Sequence, residues 1–216
     1  MHIGGTVTVL DACRITGVNR VIYVSSAEVY GQPETNPVRE DYPVQARSPY
    51  AAAKIGAERF VEAFVHAHEI HAMVLRPFSL YGPRVSPQSL LGTIIHDAGE
   101  GVAIVLADLE PVRDYCHVDD MAEAVLCAAS VTIPSYCVVN VGTGQGTSVA
   151  ALAAIVLEIL GRDLPVREHP GKKRPGNSEI TRLIADPTRA REILRWSPSF
   201  SLRSGLEQTI RLMRRE

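Results

Sequence analysis

The chain has 216 residues, enough to bury one sizeable core with a small annex and too few for two large domains. Its apolar share of 46% and charged share of 21% are those of a folded globular protein and exclude disordered, collagen-like and low-complexity classes. The formal charge of −2 divides unevenly: residues 1–161 hold nine Lys+Arg against seventeen Asp+Glu (−8), and residues 162–216 hold thirteen against seven (+6), a balance that suits either a locally held anionic ligand or solvated helix faces.

In chain order, residues 6–17 read as a helix, with Val7, Leu10 and Ile15 apolar and Gly17 at the end. Residues 21–24, Val-Ile-Tyr-Val, form a continuous run bounded by Asn19 and Ser25, the pattern of a strand buried on both faces. Residues 50–68 are helical, with Ile55, Phe60, Val61, Phe64 and Val65 on one side and Glu58, Arg59 and Glu62 on the other. Met73-Val74-Leu75 follows as a second apolar run, then a helix over 89–99, an extended piece over 103–106, a helix over 121–130 and an extended piece over 137–141. Thr147 or Ser148 would cap a helix that runs through Leu160 and stops at Gly161.

Strands separated by helices imply parallel pairing in an α/β layer fold. After Gly161 the prolines at 165, 170, 175, 187 and 198 break the chain into short pieces. The expected division is therefore an α/β body over 1–160, parts of which also serve the lobe, and a small C-terminal lobe over 161–216. His66, His68 and His71 flank a helix end beside Glu69, where a polar surface turn outweighs a metal cluster as the reading.

No apolar run approaches the ~18 residues of a membrane span, and the first six residues lack the basic and then apolar start of a secretory signal. Cys13, Cys116, Cys127 and Cys137 lie far apart without a CxxC pair, which argues against a zinc site or a disulfide framework. A cytoplasmic address with no membrane partner is the expectation. The basic residues are not interleaved with aromatics, so no nucleic acid partner is expected either.

The chemistry concentrates in Tyr50-Ala-Ala-Ala-Lys54, with Ser26 at the end of the 21–24 run. A spacing of four puts Tyr50 and Lys54 on one helix face, one turn apart, where an ammonium favours a tyrosinate able to take a proton from a sugar hydroxyl. Alone, such a pair also describes a half-buried tyrosine near a surface lysine.

Six ordered segments add to it: VIYVSSAEVYG (21–31), SPYAAAK (48–54), LRPFSLYGPR (75–84), RDYCHVDD (113–120), NVGTG (140–144) and KRPG (173–176). In order and spacing the chain resembles the extended short-chain dehydrogenase/reductases, in particular the NAD-dependent epimerase/dehydratase branch that acts on nucleotide sugars.

The resemblance implies a partial Rossmann-like parallel sheet with a C-terminal substrate lobe. It implies Tyr50 as catalytic base, Lys54 as its tuning partner and ribose anchor, Ser26 as holder of the substrate hydroxyl, and Glu28 as the acid/base of dehydratases and decarboxylases. Ser25 and Pro77, with Tyr50 and Lys54, would meet NAD or NADP. Ser79, Arg84, Arg113 and Arg174 would meet a nucleoside-diphosphate sugar, the arginines through charge-assisted forks to phosphate. Arg113 has structural rivals in Asp114, Asp119 and Asp120.

Three departures stand out: Ser79 in place of the usual asparagine, Asn177 in place of an aspartate, and Ala27 in place of the aspartate of hexose dehydratases. The glycine-rich βα turn that cradles the cofactor pyrophosphate is not found, since Gly4-Gly5 does not match it. The expectations that follow are weak or absent NAD binding by this chain alone, and a homo-oligomer or partner chain covering the exposed edge of the 21–24 strand. A non-catalytic sugar-nucleotide-binding or helper subunit, or a gene fragment, is the alternative to an active epimerase or dehydratase.

Overall fold

The computed structural model describes residues 2–132, 135–169, 171 and 179–213; Pro170, Arg174, Pro175 and Asn177 lie outside them. Three parallel strands form the central sheet: β1 (Arg20–Val24), β2 (His71–Pro77) and β7 (Tyr136–Val141), in the order β1-β2-β7. Alternation along β2 sorts its side chains between the two faces. Ala72 and Val74 join Leu10, Val61 and Val65 beneath α1 (His2–Thr16) and α2 (Pro49–Ala67). Met73 and Leu75 join Met121, Ala124, Ala128 and Trp196 beneath α4 (Val118–Ser130). Helices on both faces are what an all-parallel sheet requires.

Three expectations need correction here. The run 21–24 is not buried on both faces: Val21, Ile22 and Tyr23 are half-buried and Val24 is exposed, because β1 lies at the sheet edge and pairs only with β2 among the described residues. Glu58 is not on the solvent side of α2. Its side chain is 3% exposed and bridges Arg76 of β2, itself 5% exposed, with Arg76 Nε donating to Oε1 at 3.0 Å and Nη2 to Oε2 at 2.6 Å. A carboxylate can be buried there because a bidentate guanidinium satisfies it. Phe60, assigned to the apolar side, is exposed.

The second large cluster is assembled from three separated stretches. It unites α3 (Leu90–Glu100), β4 (Ile104–Leu106), α5 (Val149–Leu160) and α6 (Leu202–Met213) through Ile94, Ile104, Leu152, Val156, Leu206 and Ile210. The strand β9 (Val166–Glu168) pairs in parallel with β4. Nearly every side chain of α5 is apolar, so it needs cover on several sides, which α3 and α6 supply. Of the two capping candidates, Ser148 accepts from Ala151 N at 3.1 Å, and Gly161 ends α5 in the left-handed conformation at φ 62°. The last of the pieces after Gly161 is α6, a twelve-residue helix.

Between the two clusters run short strands: β3 (Ser79–Tyr81) beside β6 (Tyr115–His117), and β5 (Val112–Arg113) between β8 (Thr147–Ser148) and β10 (Arg182–Leu183). His117 ends β6 and caps α4, its Nδ1 accepting from Asp119 N at 3.2 Å. The ring is buried, tilted on Phe200 at 4.2 Å and edge-on to Tyr81 at 5.3 Å. Gly205 makes room for both rings, since a Cβ there would sit 2.1 Å from the Tyr81 hydroxyl oxygen and 3.1 Å from His117 Cδ2.

Nε2 has no hydrogen-bond partner among the described residues. Burial lowers the imidazole's proton affinity, an effect that Asp119 and Asp120 oppose without cancelling. A depressed histidine pKa means that the unfolded chain takes up the proton first. Its stabilising contribution is therefore complete above pH ~6.5 and is lost as pH falls toward the folded-state value. We expect the drop in melting temperature from pH 7.5 to 5.5 to be smaller in His117→Asn, which keeps a capping oxygen; an equal drop would remove His117 as the cause.

Candidate active site

One cleft of about 820 Å³ opens between the sheet and the second cluster, and Ser26, Glu28, Pro77, Ser79, Arg113 and Tyr115 are among its walls. The sequence delivers them from strand ends. After β1, Ser26 caps a short 3-10 turn (Ala27–Tyr30), its Oγ accepting from Glu28 N at 3.2 Å. Ser48 caps α2 by accepting from Ala51 N at 3.0 Å, and its hydroxyl reaches Glu28 Oε2 at 3.4 Å. The start of α2 is thereby tied to the candidate acid/base carboxylate. Pro77 ends β2, and Ser79 begins β3 with its N–H donating to Asp114 O at 2.9 Å.

Tyr50 sits in the first turn of α2 and is 40% exposed, its ring edge-on to His2 at 5.4 Å. Lys54, one turn on, donates from Nζ to Val24 O at 2.8 Å, with the ammonium 5.9 Å from the Tyr50 ring centre and 5.1 Å from that of Tyr23. Burial pushes the Lys54 ammonium's pKa below its ordinary value, and Glu58 pulls in the other direction. Ser25 is 3% exposed, donates its N–H to Leu75 O at 2.7 Å, and carries a buried Oγ without a partner among the described residues. Arg84 is exposed and has a φ of 63°, and like Ser25, Tyr50 and Lys54 it is not among the cleft walls. Arg174 lies outside the described residues.

The rivals proposed for Arg113 are engaged elsewhere. Asp114 is fully buried and accepts from Thr143 N, Thr143 Oγ1, Gly144 N and Ala185 N at 2.6–3.2 Å, tying the NVGTG segment to the chain before Pro187. Burial raises its pKa against those donors. Asp120 accepts from Ser199 N at 2.8 Å and Phe200 N at 3.3 Å, and its carbonyl takes the Trp196 indole N–H at 3.0 Å. Among the described residues, Arg113 forms an ion pair with Glu179, at 3.2 Å.

Sequence reasoning missed Glu179 and the Arg76 network. Besides Glu58, Arg76 donates to the Tyr30 hydroxyl at 2.9 Å, which donates to Asn140 Oδ1 at 2.7 Å. A lone arginine ending an apolar strand was the available signal, since such a cation needs a buried acceptor.

Residues 1–142 match the NAD dependent epimerase/dehydratase family. A UDP-glucose 4-epimerase of Mycolicibacterium smegmatis is 32% identical, the match covering 99% of this chain and 68% of that one. Among solved structures, a UDP-glucose 4-epimerase of Thermotoga maritima with UDP-glucose superposes at TM-score 0.92 with 32% identity, over 99% of this chain and 69% of the other. A UDP-glucuronic acid 4-epimerase of Bacillus cereus, in complex with UDP-glucuronic acid and NAD, superposes at 0.90 with 26% identity, over 99% and 67%. Fold, motif order and these matches agree, and the chain belongs to the NAD dependent epimerase/dehydratase family.

Proposed function

We propose that this protein acts on a nucleoside-diphosphate sugar as an NAD(P)-linked epimerase or dehydratase, with Tyr50 as the base in transient oxidation of a sugar hydroxyl. The observation that carries it is the joining of Ser26, Glu28, Ser79 and Arg113 in one cleft whose wall includes Ser48, the cap of the helix bearing Tyr50 and Lys54. In this reading Arg113 holds the diphosphate and Ser26 orients the reacting hydroxyl. Tyr50 takes its proton, and Lys54 supplies positive charge one turn away.

The buried Ser25 Oγ, without a partner among the described residues, and the spare donors of the Lys54 ammonium fit the ribose and nicotinamide end of a dinucleotide, with Pro77 on the cleft wall. The nicotinamide, when bound, would supply the oxidant for the sugar carbon.

The test is titration calorimetry with UDP and UDP-glucose. Arg113→Ala is expected to weaken both by about tenfold at low salt, the size of one charge-assisted phosphate contact. Equal affinity for the two chains, or no binding by either, would overturn the reading.

A further inference from the structure

Resting on that reading of the cleft, an ion pair on its wall points to a control of affinity. Arg113 is held in β5 with β8 on one side and β10 on the other. Its Nη1 donates to Val112 O at 3.0 Å and its Nη2 to Glu179 Oε1 at 3.2 Å. The two side chains are 19% and 28% exposed, and both line the cleft. The pair is thus shielded enough to matter and open enough to exchange.

On its C-terminal side, the chain after Glu179 is held by hydrogen bonds. Two residues on, Thr181 accepts at its carbonyl from Val112 N at 2.8 Å, and its N–H donates to Gln32 Oε1 at 2.6 Å. Among the described residues, the walls carry Arg47 and Arg113 together with the carboxylates of Glu28, Asp108 and Glu179. A diphosphate entering this cleft meets an arginine whose fork already holds a carboxylate.

We infer that Glu179 is an affinity-setting residue, its carboxylate standing on Arg113 where a phosphate oxygen of the ligand would stand, so that binding proceeds by exchange of one anion for the other. An exchange leaves the number of charge pairs on Arg113 unchanged. Binding to the native chain should therefore depend only shallowly on salt, whereas a chain without this carboxylate gains a new pair and shows a steeper dependence.

The experiment compares the 216-residue chain with Glu179→Gln by calorimetry, using UDP, inorganic pyrophosphate and uridine as probes at two salt concentrations. Glu179→Gln should bind UDP and pyrophosphate about threefold to sixfold more tightly at low salt, the worth of one partly screened ion pair. It should lose more of that affinity on raising salt and leave uridine unchanged. Asp108→Asn, which removes another wall carboxylate, should give a clearly smaller gain.

Measurable UDP binding that is equal in the two chains overturns the inference and leaves the functional reading standing. An equal gain for uridine, or a gain from Asp108→Asn as large as that from Glu179→Gln, overturns it as well, because the effect would then not run through Arg113. Failure of both chains to bind either UDP or pyrophosphate overturns the anion site itself, and the functional reading with it.

Discussion

Replacing Tyr50 by phenylalanine is expected to lower kcat for a UDP-sugar by about 10²–10⁴-fold while leaving the dissociation constant within about twofold. The phenol is exposed at the start of α2, outside every hydrophobic cluster, so losing one oxygen costs the fold little. Ser26 and Arg113, to which the proposed reading assigns the holding of substrate, are carried by other elements. The loss should therefore fall on the transition state, where the proton moves, and not on ground-state binding. The measurement is steady-state turnover together with calorimetry on the same preparations. Retained turnover in Tyr50→Phe would reject Tyr50 as base. Tight UDP-sugar binding by a native chain that turns nothing over, even with added cofactor, would favour the binding-subunit alternative.

Arg76→Met is expected to be among the most destabilising single substitutions in the chain, at about 3–5 kcal/mol, because it leaves the Glu58 carboxylate buried and unpaired. It also removes one of the two hydrogen bonds of Tyr30, whose pKa burial pushes up to about 12. The pair joins α2 to β2, and its loss removes a tie between the helix that carries Tyr50 and Lys54 and the central strand that ends in Pro77. Urea unfolding checks the magnitude. The double substitution Glu58→Leu with Arg76→Met should recover more than half of the loss, since a buried ion pair replaced whole by apolar groups is close to neutral. A cost below about 1 kcal/mol for Arg76→Met would show that the carboxylate escapes to water and that the pair does not anchor the helix.

What the sequence determined by itself is local. The 3.6-residue apolar period and its end signals located five helices and the parallel α/β character: Ser148 and Gly161 bracket α5 as their cap chemistry requires. The segment order set the family, and the four-residue spacing put Tyr50 and Lys54 on one face, which α2 honours. Tertiary structure decided which charges are solvated. Period alone assigned Glu58 to water and Phe60 to the core; Phe60 is exposed, and Glu58 is buried because Arg76, eighteen residues away in sequence, sits opposite it.

The same distance hid the partners of the RDYCHVDD segment. Asp114 reaches residues 143, 144 and 185, Asp120 reaches 199 and 200, and Arg113 pairs with Glu179, each across at least 29 positions. Hydrogen bonds and ion pairs of that span carry no periodic signature, since their partners are chosen by the packing of β3, β5 and β6 between the two clusters. The sequence could name the residues able to hold a phosphate; only the folded chain shows that a carboxylate already stands on one of them.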